Sequence, residues 1–151
     1  MLETADQAVA LMQEGYSCSQ AVFASFAPRF GFHEDLALKM TAPFGGGIAR
    51  HGYICGAVTG ALLILGLRFG SNLPKDNQTA YEITNEFIRR FEARHGEILC
   101  RELIGFDIST PEGSQVAKES SIFQTLCPEL VRSAAGITAE LLEQGINRSE
   151  T

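Results

Sequence analysis

Apolar residues recur at intervals of three and four along most of this chain, with almost none of the alternation that marks a strand. The pattern predicts an all-helical protein. Ala5, Val9 and Met12 share one face of a helix over about Glu3–Gln13, which Gly15 ends. Ser17 is placed to cap a second helix that carries Ala21, Val22 and Phe26 and stops near Pro28. His33 to Met40 reads as a short third helix, with Glu34 and Asp35 at the positive end of its dipole. A loop, Phe44-Gly45-Gly46-Gly47, leads to an apolar helix from Ile54 to Phe69, closed by Gly70. Ala80, Ile83, Phe87 and Phe91 stripe the longest predicted helix, about Asp76 to Arg94, which ends at Gly96. A helical turn from Cys100 to Ile104 and a looser polar stretch from Asp107 to Ser121 follow. The last helix starts at Cys127-Pro128 and carries Leu130, Ala134, Ile137 and Leu141.

Together these elements predict a single domain over residues 1–151, a bundle of about five to seven helices around a buried, glycine-rich central helix. The uncharged run from Tyr53 to Leu67 covers 15 residues, short of the roughly 20 that span a bilayer, so it reads as a core helix and no membrane insertion is expected. With 45% apolar and 20% charged residues the chain has the composition of a globular protein. Its net charge of −6 argues against nucleic acid as a partner, since phosphate binding needs a concentrated basic surface. Arg89, Arg90 and Arg94 alternate with Glu86, Glu92 and Glu97, as on a solvated helix face. The acidic start, Met1 to Asp6, is unlike a secretory signal. A cytoplasmic address is the expectation, and there four cysteines are normally thiols.

Those cysteines carry the candidate chemistry. Cys18, Cys55, Cys100 and Cys127 are separated by 37, 45 and 27 residues and form no Cys-x-x-Cys pair, which excludes a zinc ribbon and a thioredoxin motif. Their shared context says more, because each begins a predicted helix. Unsatisfied amides and the positive dipole end favour the thiolate there, and the thiolate is both nucleophile and metal ligand. Any one alone reads as a small buried hydrophobe; four in equivalent places suggest one site. Gly15-Tyr16-Ser17-Cys18 and Gly52-Tyr53-Ile54-Cys55 echo one another without implying duplication.

Gly52, Gly56 and Gly60 follow at intervals of four, which would place a bare helical face beside Cys55. Such a face admits either a second helix or a bound cofactor at close range. His51 and His95, shortly before Cys55 and Cys100, are candidate extra metal ligands, although exposed or capping roles are commoner for such residues. His33, beside two carboxylates, reads as a helix-start residue. The Gly45-Gly46-Gly47 amides could cradle an anion, but the loop matches no phosphate-binding motif. No hydrolase signature is present.

The segments Tyr-Ser-Cys-Ser-Gln-Ala-Val around Cys18, Phe-Gly-Gly-Gly-Ile-Ala-Arg from Phe44, Cys55 to Gly60, Cys-Arg-Glu-Leu from Cys100 and Cys-Pro-Glu-Leu-Val from Cys127 occur in order across nearly the whole chain. In these motifs the sequence resembles the C_GCAxxG_C_C family, small bacterial and archaeal proteins described as redox-active and marked by four cysteines with a Cys-Gly-Ala-x-x-Gly core. The resemblance implies that Cys18, Cys55, Cys100 and Cys127 belong to one redox site. It names no reaction. Three readings stand: an iron–sulfur cluster or a single zinc or iron ion bound by the four thiolates for electron transfer or an accessory redox role; a cofactor-free thiol–disulfide oxidoreductase in which Cys55 attacks; and a non-enzymatic adaptor or structural protein with packed or zinc-bound cysteines. Whether the chain is an enzyme stays open. A redox partner protein and a homodimer are the candidate partners.

Overall fold

A computed structural model describes residues 2–149, with side chains from residue 3 to residue 145. The ends of the domain expected over residues 1–151 therefore lie outside the described residues. Among the described residues the architecture is all-α, as the periodicity predicts.

Helix α1 (Leu2–Gln13) buries Thr4, Ala5, Ala8 and Val9 and packs against α2 and the last helix. A reciprocal cap starts α2 (Cys18–Phe26): the Ser17 hydroxyl accepts from the Gln20 N–H while the Gln20 side chain accepts from the Ser17 N–H. Pro28 ends it in a 3₁₀ turn, Ala27–Phe30. Helix α3 (Glu34–Thr41) passes into a second such turn, Ala42–Phe44. Helix α4 (Gly56–Phe69) buries Ala57, Val58, Ala61, Ile64 and Leu65. Its burial is not complete, since Gly66 and Leu67 emerge at the last turn.

Close approach to α2 accounts for two of the three spaced glycines. A Cβ on Gly60 would lie 2.8 Å from the Ser19 carbonyl oxygen, and one on Gly56 would lie 2.9 Å from the Ser19 amide nitrogen. Gly52 differs from the expected helical face. It precedes α4 with φ at +74°, and a Cβ there would meet Arg101 instead. A spacing of four puts residues on one face only inside a helix, and here the helix begins later.

Helix α5 (Gln78–His95) buries Ile83, Phe87 and Phe91, with the two rings stacked 6.0 Å apart. Its arginines are more than a solvated face: Arg90 pairs with Glu86 at 2.7 Å and also with Glu140 at 3.2 Å, tying α5 to the last helix. Helix α6 is the expected short turn, Cys100–Ile104. The stretch that reads as loose, Asp107 to Ser121, instead forms α7 (Pro111–Glu119), and α8 (Ile122–Thr125) follows directly after it. Thr110 caps α7 by accepting from the Gly113 N–H, but Ala117 is its one buried residue, so no apolar stripe announces it. The last helix, α9 (Cys127–Ser149), buries Leu130, Val131, Ala134, Ile137 and Leu141.

Two apolar clusters result. The larger holds Phe23, Phe26, Phe87, Phe91, Ile64 and Leu65; the smaller gathers Ile104, Ile108, Ala117 and Cys127 under α7 and α8. Among the described residues no helix is long and apolar enough to cross a membrane.

Candidate functional site

Between these two clusters lies a cavity of about 610 Å³, and Cys18, Cys55, Cys100 and Cys127 all line it. Each reaches it from a helix start. Cys18 is the first residue of α2, Cys55 is the residue that caps α4, and Cys100 and Cys127 begin α6 and α9.

Backbone pairing brings Cys55 and Cys100 together across a long sequence separation. Ile54 and Leu99 form an isolated antiparallel bridge, which the Cys55 N–H extends by donating to Ile98 O at 2.8 Å and the Cys100 N–H by donating to Tyr53 O at 2.6 Å. Arg101 reinforces this join. Its guanidinium donates to the carbonyls of His51 at 2.7 Å and Gly52 at 3.3 Å.

The glycine loop closes another side. Gly46, Gly47, Ile48, Ala49 and Arg50 take five successive left-handed conformations, with φ between 46° and 67°. Each of the three non-glycine residues costs on the order of 1–2 kcal/mol in that region. Hydrogen bonds hold the turn, among them Gly52 N–H to Gly46 O at 3.1 Å and Tyr53 N–H to Gly47 O at 2.9 Å. Gly47 must be glycine on space as well as on φ, because a Cβ would lie 2.8 Å from the Cys100 Cβ.

The thiols influence one another. Cys18 lies within proton-sharing reach of Cys127 and Cys55, and those contacts, with burial, raise its pKa well above the ordinary thiol range. Cys55 moves down, first through the hydrogen bond from Cys18 and then through the amides of Ala57 and Val58 at the start of α4, against the opposing effect of burial. Cys127 is likewise lowered by Cys18. Cys100 is pushed up to about 12 by burial and by the neighbouring charges of Cys55 and Cys127. Cys18 is therefore the thiol that keeps its proton beside the two that are lowered, and Cys55 is the one also lowered by helix amides.

Residues 16–141 match the profile of a family described as "Putative redox-active protein (C_GCAxxG_C_C)". The chain belongs to this family. No curated protein and no solved structure matches it. The family's span covers all four cysteines, both close-packed glycines of α4 and the left-handed loop.

Other candidates from the sequence lie apart. Neither His51 nor His95 lines the cavity. His51 is exposed, its Nδ1 2.9 Å from Ile48 O, and its ring packs on Tyr53. His95 stacks on Phe91, and burial with the nearby Arg94 lowers its pKa. Of the three spaced glycines, Gly56 lines the cavity and Gly52 and Gly60 do not. Four thiols are soft donors suited to zinc or an iron–sulfur cluster. Their spacing is less suited, since among the described residues no three His, Cys, Asp or Glu side chains form a group able to hold a metal ion. Met12, legible in the sequence only as part of an apolar helix face, also lines the cavity, as do Ile108, Lys118 and Phe123, which nothing local marks because α7, α8 and the segment before them are brought there by the fold.

Proposed function

We propose that this member of the C_GCAxxG_C_C family is a thiol–disulfide oxidoreductase whose redox couple lies in the four-cysteine cavity. Cys55 is the attacking thiolate and Cys18 the resolving thiol, with Cys127 as a second partner for Cys18. The observation that carries this reading is that all four cysteines line one cavity, where Cys55 and Cys127 both raise the pKa of Cys18. Attack by Cys55 on a disulfide would leave a mixed disulfide in the cavity that Cys18 also lines, which places a resolving thiol on the same wall. The Cβ of Cys18 lies 3.3 Å from where a side chain on Gly56, the residue after Cys55, would begin, so α2 and the start of α4 approach closely there.

Titration of thiols before and after mild oxidation tests the proposal. Reversible loss of two thiols, with peptide mapping placing the bond on Cys18, supports it. Four thiols unchanged by oxidants that oxidise an ordinary dithiol would sink it.

A second reading, an iron–sulfur cluster or a single zinc or iron ion, is favoured by the chemistry of the donors: four thiols and no carboxylate on the cavity wall. Such a site would supply electron transfer or a structural clamp. Iron and zinc analysis with visible spectra of anaerobically purified protein decides for or against it.

A further inference from the structure

The thiols occupy one part of their cavity. At about 610 Å³ it falls within the roughly 300–1,000 Å³ that receives organic ligands. Beyond the cysteines its wall is largely apolar, with Met12, Leu103, Ile108 and Phe123, and its charged residues are of one sign. Arg50 from the left-handed turn and Lys118 from α7 line it, and no carboxylate does. In a chain of net charge −6 this is a local inversion.

Both cations are unengaged. Among the described residues neither Arg50 nor Lys118 forms a salt bridge, whereas Arg89, Arg90, Arg94 and Arg132 each face a carboxylate. The backbone adds two donors. In the left-handed turn the N–H groups from Ile48 to Tyr53 all donate to carbonyls, but those of Gly46 and Gly47 find no acceptor among the described residues, although Gly47 is buried. An unpaired amide in a buried residue such as Gly47 is rare in folded proteins and calls for a partner. Consecutive amides of this kind form a concavity suited to an anion.

We infer, resting on the thiol–disulfide reading above, that the cavity takes a small anionic organic disulfide. Its acidic groups meet Arg50, Lys118 and the Gly46 and Gly47 amides, its carbon skeleton lies on the apolar wall, and its sulfur–sulfur bond lies against Cys55. The Cys55 thiolate attacks one ligand sulfur, forming a protein–ligand disulfide and expelling the other half as a thiolate. Cys18 then attacks the Cys55 sulfur, forming the Cys18–Cys55 disulfide and releasing the second half. The ligand gains two electrons and two protons, the cysteine pair loses them, and an external dithiol restores the pair.

Stopped-flow rates with three disulfides of different charge test this: dianionic 5,5′-dithiobis(2-nitrobenzoate), neutral 4,4′-dithiodipyridine and dicationic cystamine. Each is normalised to its rate with the same protein unfolded in urea, which removes the intrinsic reactivity of the reagent. The folded protein should favour the anion over the neutral reagent by about tenfold or more and disfavour the cation. That ratio should collapse in Lys118→Gln, at an exposed position on α7, and in Arg50→Gln. It should persist in Arg50→Lys and fall in roughly 1 M salt. A cystamine rate equal to that of the anion, or a preference that survives both glutamine variants, overturns the inference. Reaction with all three reagents without charge preference overturns this inference and leaves the thiol–disulfide reading standing. If none of the three converts the cysteine pair to a disulfide, that reading has failed and this inference falls with it.

Discussion

The Cys100 N–H donates to the Tyr53 carbonyl at 2.6 Å, which holds the start of α6 against the residues leading into Cys55. Two cysteines distant in sequence become neighbours through main-chain bonds, before any side-chain chemistry is considered. The loop packed over this join is correspondingly intolerant of change.

Gly47→Ala should be among the most damaging single substitutions. Its φ is +67°, and the new Cβ would lie 2.6 Å from the Tyr53 nitrogen and 2.8 Å from the Cys100 Cβ. A loss of about 3 kcal/mol or more is expected, from strain and overpacking together. Urea unfolding measures it; a loss under about 0.5 kcal/mol, the range of ordinary surface changes, would contradict the packing described.

Two glycines of α4 should respond in opposite directions. Gly60→Ala drives a methyl against the Ser19 carbonyl, 2.8 Å away, and should cost about 1–3 kcal/mol. Gly66→Ala meets nothing within 4 Å and should stabilise by up to about 1 kcal/mol through helix propensity. Thermal midpoints that move in the same direction would refute this assignment of roles.

Arg101→Ala removes the guanidinium bonds to His51 and Gly52. Because the side chain is exposed, the expected loss of stability is modest, about 1 kcal/mol. Faster hydrogen exchange confined to residues 51–55 and 98–101 is the more diagnostic outcome, and uniform exchange across the chain would speak against a local clamp.

Thiol reactivity should not follow exposure. Cys100 is more exposed than Cys55, which is 3% accessible, yet Cys100 is held to about 12 while Cys55 is lowered. At pH 8 a small alkylating reagent followed by peptide mapping should therefore modify Cys55 ahead of Cys100. The raised Cys100 also makes a stability statement: its contribution is complete below the ordinary thiol pKa of about 8.5 and is lost as pH rises through about 12, because the unfolded chain releases that proton first. Cys100→Ser should flatten this alkaline decline.

Glu86 works at the other end of the scale. Hydrogen bonds from Arg89 and Arg90 hold its carboxyl down to about 2. Its stabilising contribution is present above the ordinary carboxylate pKa of about 4.3 and is lost as pH falls through about 2. Glu86→Gln should remove part of the acid dependence of urea unfolding between those values, and added salt should shrink the difference because the group is on the surface.

Much of the secondary structure was legible in the sequence because the helices that build the main core carry an apolar stripe. Ile83, Phe87 and Phe91 announce α5, and Ser17 announces the start of α2. Helix α7 escaped because a single buried alanine makes no period. The four-residue spacing puts Gly52 on a helical face with Gly56 and Gly60, but spacing counts residues and not dihedral angles. Nearness to cysteines along the chain makes His51 and His95 candidate ligands, whereas proximity in space depends on which way each backbone turns.

By itself the sequence determined that helices form, where most of them begin, and that each of the four cysteines stands at such a beginning, since capping, periodicity and helix dipoles act over a few residues. Only the tertiary structure decided that the four starts face one cavity, that Cys55 and Cys127 both act on the Cys18 thiol, and that Arg50 and Lys118 join the wall. Those relationships depend on the close approach of α2 and α4 at Gly56 and Gly60, on main-chain pairing between residues 52–55 and 98–101, and on a left-handed turn held by its own hydrogen bonds. Such long-range contacts leave no periodic trace in the chain that makes them.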